Sequence, residues 1–142
     1  MPETLRETLN ILGLKRKTVR AQLDFLPIIR EGLPTSSLEN LAKVLELTAQ
    51  DTVERLGVAK RTFARRMLAG HLNPEESERV LRLARVLVQA TSTLGDYAKA
   101  RRWLLKPNRA LGGAVPLTLL DTDIGAGAVF DELGRIEHGV FA

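Results

Sequence analysis

The chain has 142 residues, of which 44% are hydrophobic and 27% charged, with 21 basic side chains against 17 acidic ones and no cysteine. This is enough apolar material for one packed domain or two very small ones, and too much for a disordered chain. Disulfides and thiolate metal sites are excluded, no apolar run approaches the roughly 20 residues a bilayer span needs, and the first ten residues lack the basic start and apolar middle of a signal peptide, so the expected compartment is the cytoplasm.

In chain order, residues 4–12 predict a short amphipathic helix, with Leu5, Leu9 and Leu12 at helical spacing. Residues 15–26 read as a second helical stretch stopped near Pro27, and Gly32-Leu33-Pro34 is a strong breaker. A helix follows in which Leu38, Leu41, Ala42 and Leu45 form one stripe, capped by Ser36 or Ser37 through a hydroxyl accepting an orphan N–H. Thr48 caps the next, which ends before Gly57-Val58, and another runs over about 59–69 to a C-cap at Gly70. Asn73 caps a long helix over about 74–94, with Pro74 in its first turn and Glu75 and Glu76 where the helix dipole favours negative charge. Gly95-Asp96 breaks it, and Asp96 caps a helix to about residue 105. Pro107-Asn108 and Gly112-Gly113 mark a loop, residues 116–120 read as one apolar turn, and Thr122 caps a last helix of about 125–135. No stretch alternates over several residues, so the expected fold is all-α, without internal repeats.

The charge is unevenly placed. Residues 1–59 hold eight basic and eight acidic side chains, residues 60–109 twelve and four, and residues 110–142 one and five. A basic middle beside an acidic end suggests two surfaces with different partners.

The most specific local signal is AQDTVERLGVAKRTFARRMLAG, residues 49–70. A helix-turn-helix needs two short helices and a turn that often holds glycine at positive φ, and Gly57 is placed for that. Val53, Leu56, Val58, Phe63 and Met67 have the spacing of a small shared core. Lys60, Arg61, Thr62, Arg65 and Arg66 then face outward, where arginine reads guanine edges in the major groove and cations contact phosphates. The competing reading is an ordinary helical hairpin with a solvated basic helix. Since such readers usually act in pairs, a homodimer is the linked expectation.

Farther on, the pieces Glu76-Ser77-Glu78-Arg79, Ala98, Trp103-Leu104, Pro107-Asn108, Leu111-Gly112-Gly113, Pro116-Leu117, Leu120, Thr122, Gly125, Val129, Arg135-Ile136-Glu137 and Gly139-Val140 occur in an order and spacing that resemble the toxin-binding region of the MbcA/ParS/Xre antitoxin family. Upstream, RTFARRMLAGHL is similar to the DNA-binding half of the same family, and the resemblance covers about residues 30–142. It implies a type II antitoxin that neutralises a partner, commonly a RES-domain toxin that degrades NAD⁺, and represses its own operon by binding promoter DNA. The implied division is an N-terminal helical segment at 1–34, an Xre-like helix-turn-helix region at 35–73 and a small helical toxin-binding region at 74–142. The expected toxin-binding residues are Val129, Glu132, Leu133, Arg135, Ile136, Glu137, His138, Val140, Phe141 and Ala142. Asp121, Asp123, Asp131, Glu132 and Glu137 would meet a basic surface such as one that binds the phosphates of NAD⁺, which speeds and orients docking. The apolar tail has two readings: it folds onto its own domain, or it enters a toxin cleft.

Catalysis is not expected. His71 and His138 are the only histidines and lie far apart, no zinc spacing is present, and Asp121 and Asp123 read as the start of the last helix. No cofactor or metal is implied. Trp103, the only tryptophan, is either a core residue or an interface anchor. A second class stays open: a stand-alone helix-turn-helix transcriptional regulator with a C-terminal dimerisation domain. A third is an adaptor whose helix-turn-helix is degenerate.

Overall fold

A computed structural model of the chain describes residues 3–15 and 19–139. Eight α-helices follow one another among these residues: α1 (Glu3–Leu12), α2 (Phe25–Glu31), α3 (Thr35–Leu45), α4 (Ala49–Arg55), α5 (Lys60–Ala69), α6 (Pro74–Leu94), α7 (Tyr97–Leu105) and α8 (Asp123–Glu137). Short 3₁₀ turns cover Gln22–Asp24, Arg109–Leu111 and Pro116–Leu119. The described residues contain no strand, only an isolated bridge between Pro34 and His71. The all-α expectation is met. No helix among the described residues is long and apolar enough to cross a membrane.

The 21-residue α6 is the mast of the fold, about 30 Å long. It packs against α1, α2, α7 and α8. Val80, Leu83, Ala84, Val86, Leu87 and Ala90 are completely buried along it, which is more than one stripe of its surface, as neighbours on several sides require. Its start is fixed locally. The Asn73 side chain accepts from the Glu76 N–H (2.8 Å) while the Glu76 carboxylate accepts from the Asn73 N–H (2.9 Å), a reciprocal capping box. Thr48, Asp96 and Thr122 cap α4, α7 and α8 as their positions predict, accepting from the N–H groups of Asp51, Lys99 and Gly125.

Two expectations are corrected. The helical stretch placed at 15–26 is much shorter among the described residues: Lys15 and Val19 lie outside any helix, residues 16–18 lie outside the described ones, a 3₁₀ turn covers Gln22–Asp24, and the α-helix begins at Phe25, with Pro27 in its first turn rather than at its end. A first-turn proline loses no helical hydrogen bond, because that N–H has no partner inside the helix. Phe25 is buried, which anchors the helix at this register. The capping serine of α3 is also misplaced. Pro34 occupies the cap position, and Ser36 and Ser37 fall inside the first turn. There the Thr35 N–H donates to the Gly70 carbonyl (3.0 Å), so the orphan donor of the helix is satisfied from across the fold.

The segment before α3 is tied to the α5–α6 connection. The Leu72 N–H donates to the Leu33 carbonyl (2.8 Å), and the Leu33 N–H donates to the fully buried Ser77 hydroxyl (2.7 Å). The helix-turn-helix is thereby sewn onto the first turns of α6.

Candidate functional site

The helix-turn-helix is built by α4 and α5. Gly57 between them has φ 87°, in the left-handed region that favours glycine. Val53, Leu56 and Val58 are buried, while Phe63 is half-buried against the core and Met67 is half-buried. Lys60, Arg61 and Arg65 are exposed on α5, and Thr62 is half-buried with its hydroxyl accepting from Arg65 Nη2 (3.4 Å).

Arg66 stands apart from its neighbours. Its Nε donates to Glu76 Oε1 at 2.6 Å, an ion pair with a carboxylate whose side chain is only 7% exposed. Burial pushes the Glu76 carboxyl up. The hydrogen bonds from Arg66 and from the Asn73 N–H, with the charges of Arg66 and Arg79, outweigh this and hold it below the usual glutamate value. One buried carboxylate therefore both caps α6 and clamps α5 to it. The sequence shows no acid among Lys60–Arg66; the fold supplies one from the next helix.

Other cations of the basic middle also turn inward. Arg79 Nη1 donates to the Leu56 carbonyl (3.2 Å), Arg82 Nη1 to the Leu120 carbonyl (2.8 Å) and Arg101 Nη1 to the Val44 carbonyl (3.1 Å). Arg85 lies over the Phe130 ring, 5.8 Å from its centroid. Sequence reasoning missed these staples, because each joins residues distant in the chain and nothing local marks them.

The last helix is mounted on α6. Ala126, Val129 and Leu133 are buried in the core, so Val129 and Leu133 position α8 and offer no surface to a partner. Glu132 is half-buried and pairs with Arg135 (3.5 Å). Ile136 is half-buried, and Glu137 and His138 are exposed. Val140, Phe141 and Ala142 lie outside the described residues. Asp121, Asp123 and Asp131 are exposed. Trp103 is half-buried, packed on the core and lining an open groove with Leu94 and Lys99.

The turn before α8 reaches the helix-turn-helix. A Cβ added to Gly57 would lie 3.4 Å from Arg79 Nη1 and 3.7 Å from Asp121 Cβ. The turn of the helix-turn-helix therefore has both Arg79 of α6 and Asp121, in the turn before α8, as neighbours. At Gly125 the approach is closer still: a Cβ there would lie 2.0 Å from the Leu119 carbonyl oxygen, so only glycine lets α8 rest on that turn.

Comparison with known proteins yields two family matches. Residues 24–85 match the antitoxin Xre-like helix-turn-helix domain, and residues 89–139 match the antitoxin Xre/MbcA/ParS C-terminal toxin-binding domain. The chain is 35% identical over 115 residues to a protein of Photorhabdus laumondii named Antitoxin Xre, covering 80% of this chain and 78% of that one. It is 34% identical over 116 residues to an Antitoxin Xre of Yersinia enterocolitica, with the same 80% and 78% coverage. It is 28% identical over 130 residues to a Sphingobium protein named Prs ADP-ribosylating antitoxin, covering 84% of this chain and 82% of that one.

Proposed function

The chain belongs to the Xre/MbcA/ParS antitoxin family, and from that premise we propose that it silences a RES-domain, NAD⁺-degrading toxin by covering the substrate entrance and represses its own operon through α4 and α5. The observation that supports this most is that one helix, α6, begins inside the matched DNA-binding region and ends inside the matched toxin-binding region. A single core thus carries an exposed cationic edge on α5 and an exposed acidic face on α8.

Lys60, Arg61 and Arg65, with Thr62, meet base edges and phosphates, and Arg66 holds α5 at its angle through Glu76. Arg135, Ile136, Glu137 and His138, with the tail Val140-Phe141-Ala142, meet the toxin, and the carboxylates of α8 orient the encounter. The functional division falls at about residues 1–34, 35–73 and 74–142. The protein works in the cytoplasm as a homodimer within a larger toxin–antitoxin complex, and it acts by binding, without catalysis or a cofactor.

The test is co-expression with a RES-domain toxin while cellular NAD⁺ is measured. The full chain should preserve NAD⁺, and a chain ending at residue 134 should not. Because that truncation removes the last turn of α8, the pair Glu137→Arg and Phe141→Asp in the full-length chain provides the same test without it. Full neutralisation by both variants refutes the reading.

A further inference from the structure

The described residues expose four large apolar side chains: Leu23 (76%), Leu26 (39%), Leu68 (91%) and Ile124 (88%). Two of them, Leu23 and Leu26, sit on α2 and the 3₁₀ turn that leads into it. Leu23, Leu26, Pro27 and Arg30 recur at i, i+3, i+4 and i+7, which is one side of a helix. An open groove of about 610 Å³ runs along this side, with Asp24 at one end and Arg30 and Glu31 at the other. A second, of about 310 Å³, lies between α2 and α6 and is rimmed by Glu78, Arg82, Arg85 and Asp123. A lone exposed leucine needs no explanation; a stripe flanked by grooves does.

We propose that this side of α2 is the contact through which two copies of the chain pair about a two-fold axis. The surface is self-complementary, as a two-fold contact requires. Two α2 helices laid antiparallel and centred on Pro27 set Arg30 beside the partner's Asp24, twice, while the half-buried Ile28 stays packed on its own core. Arg30 forms no ion pair among the described residues. The Asp24 carboxylate accepts from the Arg20 and Ala21 N–H groups through Oδ2 alone (2.8 and 3.0 Å), which leaves Oδ1 for a partner.

A seven-residue helix is about 10 Å long and does not by itself supply the ~800 Å² per partner of a stable interface. The α6 rim joins it, where the exposed Glu78 and Arg85 present both signs, while Arg82 stays tied to the Leu120 carbonyl. A second copy fits this surface better than the toxin does. Helix α2 lies within residues 24–85, which match the DNA-binding region, and outside residues 89–139, which match the toxin-binding one. Pairing here leaves the toxin-binding stretch free apart from Asp123, which stands at the rim of the second groove.

The inference rests on the dimeric reading of the DNA-binding region. It is tested in the full chain, which has no cysteine of its own. Pro27→Cys should form an intermolecular disulfide within minutes of adding a mild oxidant at micromolar concentration, and Leu68→Cys, as exposed but on α5, should not. The pair Leu23→Asp and Leu26→Asp should weaken self-association at least tenfold by sedimentation, while helical circular dichroism and co-purification with toxin are retained. Equal cross-linking at both positions, or an undiminished dimer in the aspartate pair, overturns the surface. Loss of toxin binding with the dimer intact assigns the stripe to the toxin and overturns it equally. A wild-type chain that sediments as a monomer at every concentration defeats the dimeric reading itself, a failure distinct from misplacing the contact.

Discussion

Helix α8 contains three glycines, Gly125, Gly127 and Gly134, and the same substitution should act oppositely within it. Changing a helical glycine to alanine ordinarily stabilises by roughly 0.5–1 kcal/mol, because the unfolded chain loses freedom. Gly127 and Gly134 have nothing within 4 Å of an added Cβ and should show that gain. At Gly125 the new methyl would lie 2.0 Å from the Leu119 oxygen and 2.9 Å from the Leu119 carbonyl carbon. Both are backbone atoms, and the turn cannot retreat: Pro116, Leu117 and Leu120 are buried, and the Leu120 carbonyl is held by Arg82 at 2.8 Å. Ordinary van der Waals contact is then restored only if the start of α8 lifts by about 1 Å or more. Overpacking of this kind costs about 1–3 kcal/mol. Since the propensity gain is common to both sites, the difference between Gly125→Ala and Gly127→Ala isolates the steric cost. Urea unfolding followed by the fluorescence of Trp103, the single tryptophan, measures it. With a slope of about 1–3 kcal/mol/M, the midpoints should separate by roughly 1 M, Gly125→Ala lower and Gly127→Ala at or above wild type. Equal midpoints at unchanged slope would refute the claim that glycine is required for the docking of α8.

Further outcomes follow from the Glu76 clamp and the α5 cations. Glu76→Gln should cost about 1–3 kcal/mol near neutral pH, where it leaves Arg66 facing a neutral acceptor. The folded carboxyl titrates below its ordinary value of 4.5, so its stabilisation is present above that value and is lost as pH falls through the lower, folded one. The gap between wild type and Glu76→Gln should therefore be flat from about pH 5 to 8 and shrink in acid; a gap that widens in acid contradicts the assigned direction. Lys60→Ala, Arg61→Ala and Arg65→Ala should each reduce the salt dependence of operator binding by about one phosphate contact, measured by gel shift across a salt series. Arg66→Ala should instead lower the unfolding midpoint as well, because it leaves a buried carboxylate without its cation. An identical pattern in all four variants would show that Glu76 does not set Arg66 apart.

What could be read from the chain alone was whatever neighbouring residues decide among themselves. Thr48, Asn73, Asp96 and Thr122 cap their helices through N–H groups three residues on, so spacing suffices to find them. The same holds for the all-α architecture and for the left-handed turn at Gly57. Pro27 reads in the sequence as a stop, yet it sits in the first turn of α2, because proline opens a helix as readily as it ends one and the burial of Phe25 fixes the register. The basic middle looked like one cationic surface. Tertiary structure divided it, sending Arg66 to Glu76 and Arg79, Arg82 and Arg101 to carbonyls 23, 38 and 57 residues away in the chain. Gly125 gained its meaning the same way, from the backbone of Leu119 laid against it. Local hydrogen bonding is written in spacing, whereas the choice of which cation stays in water depends on which helices end up side by side.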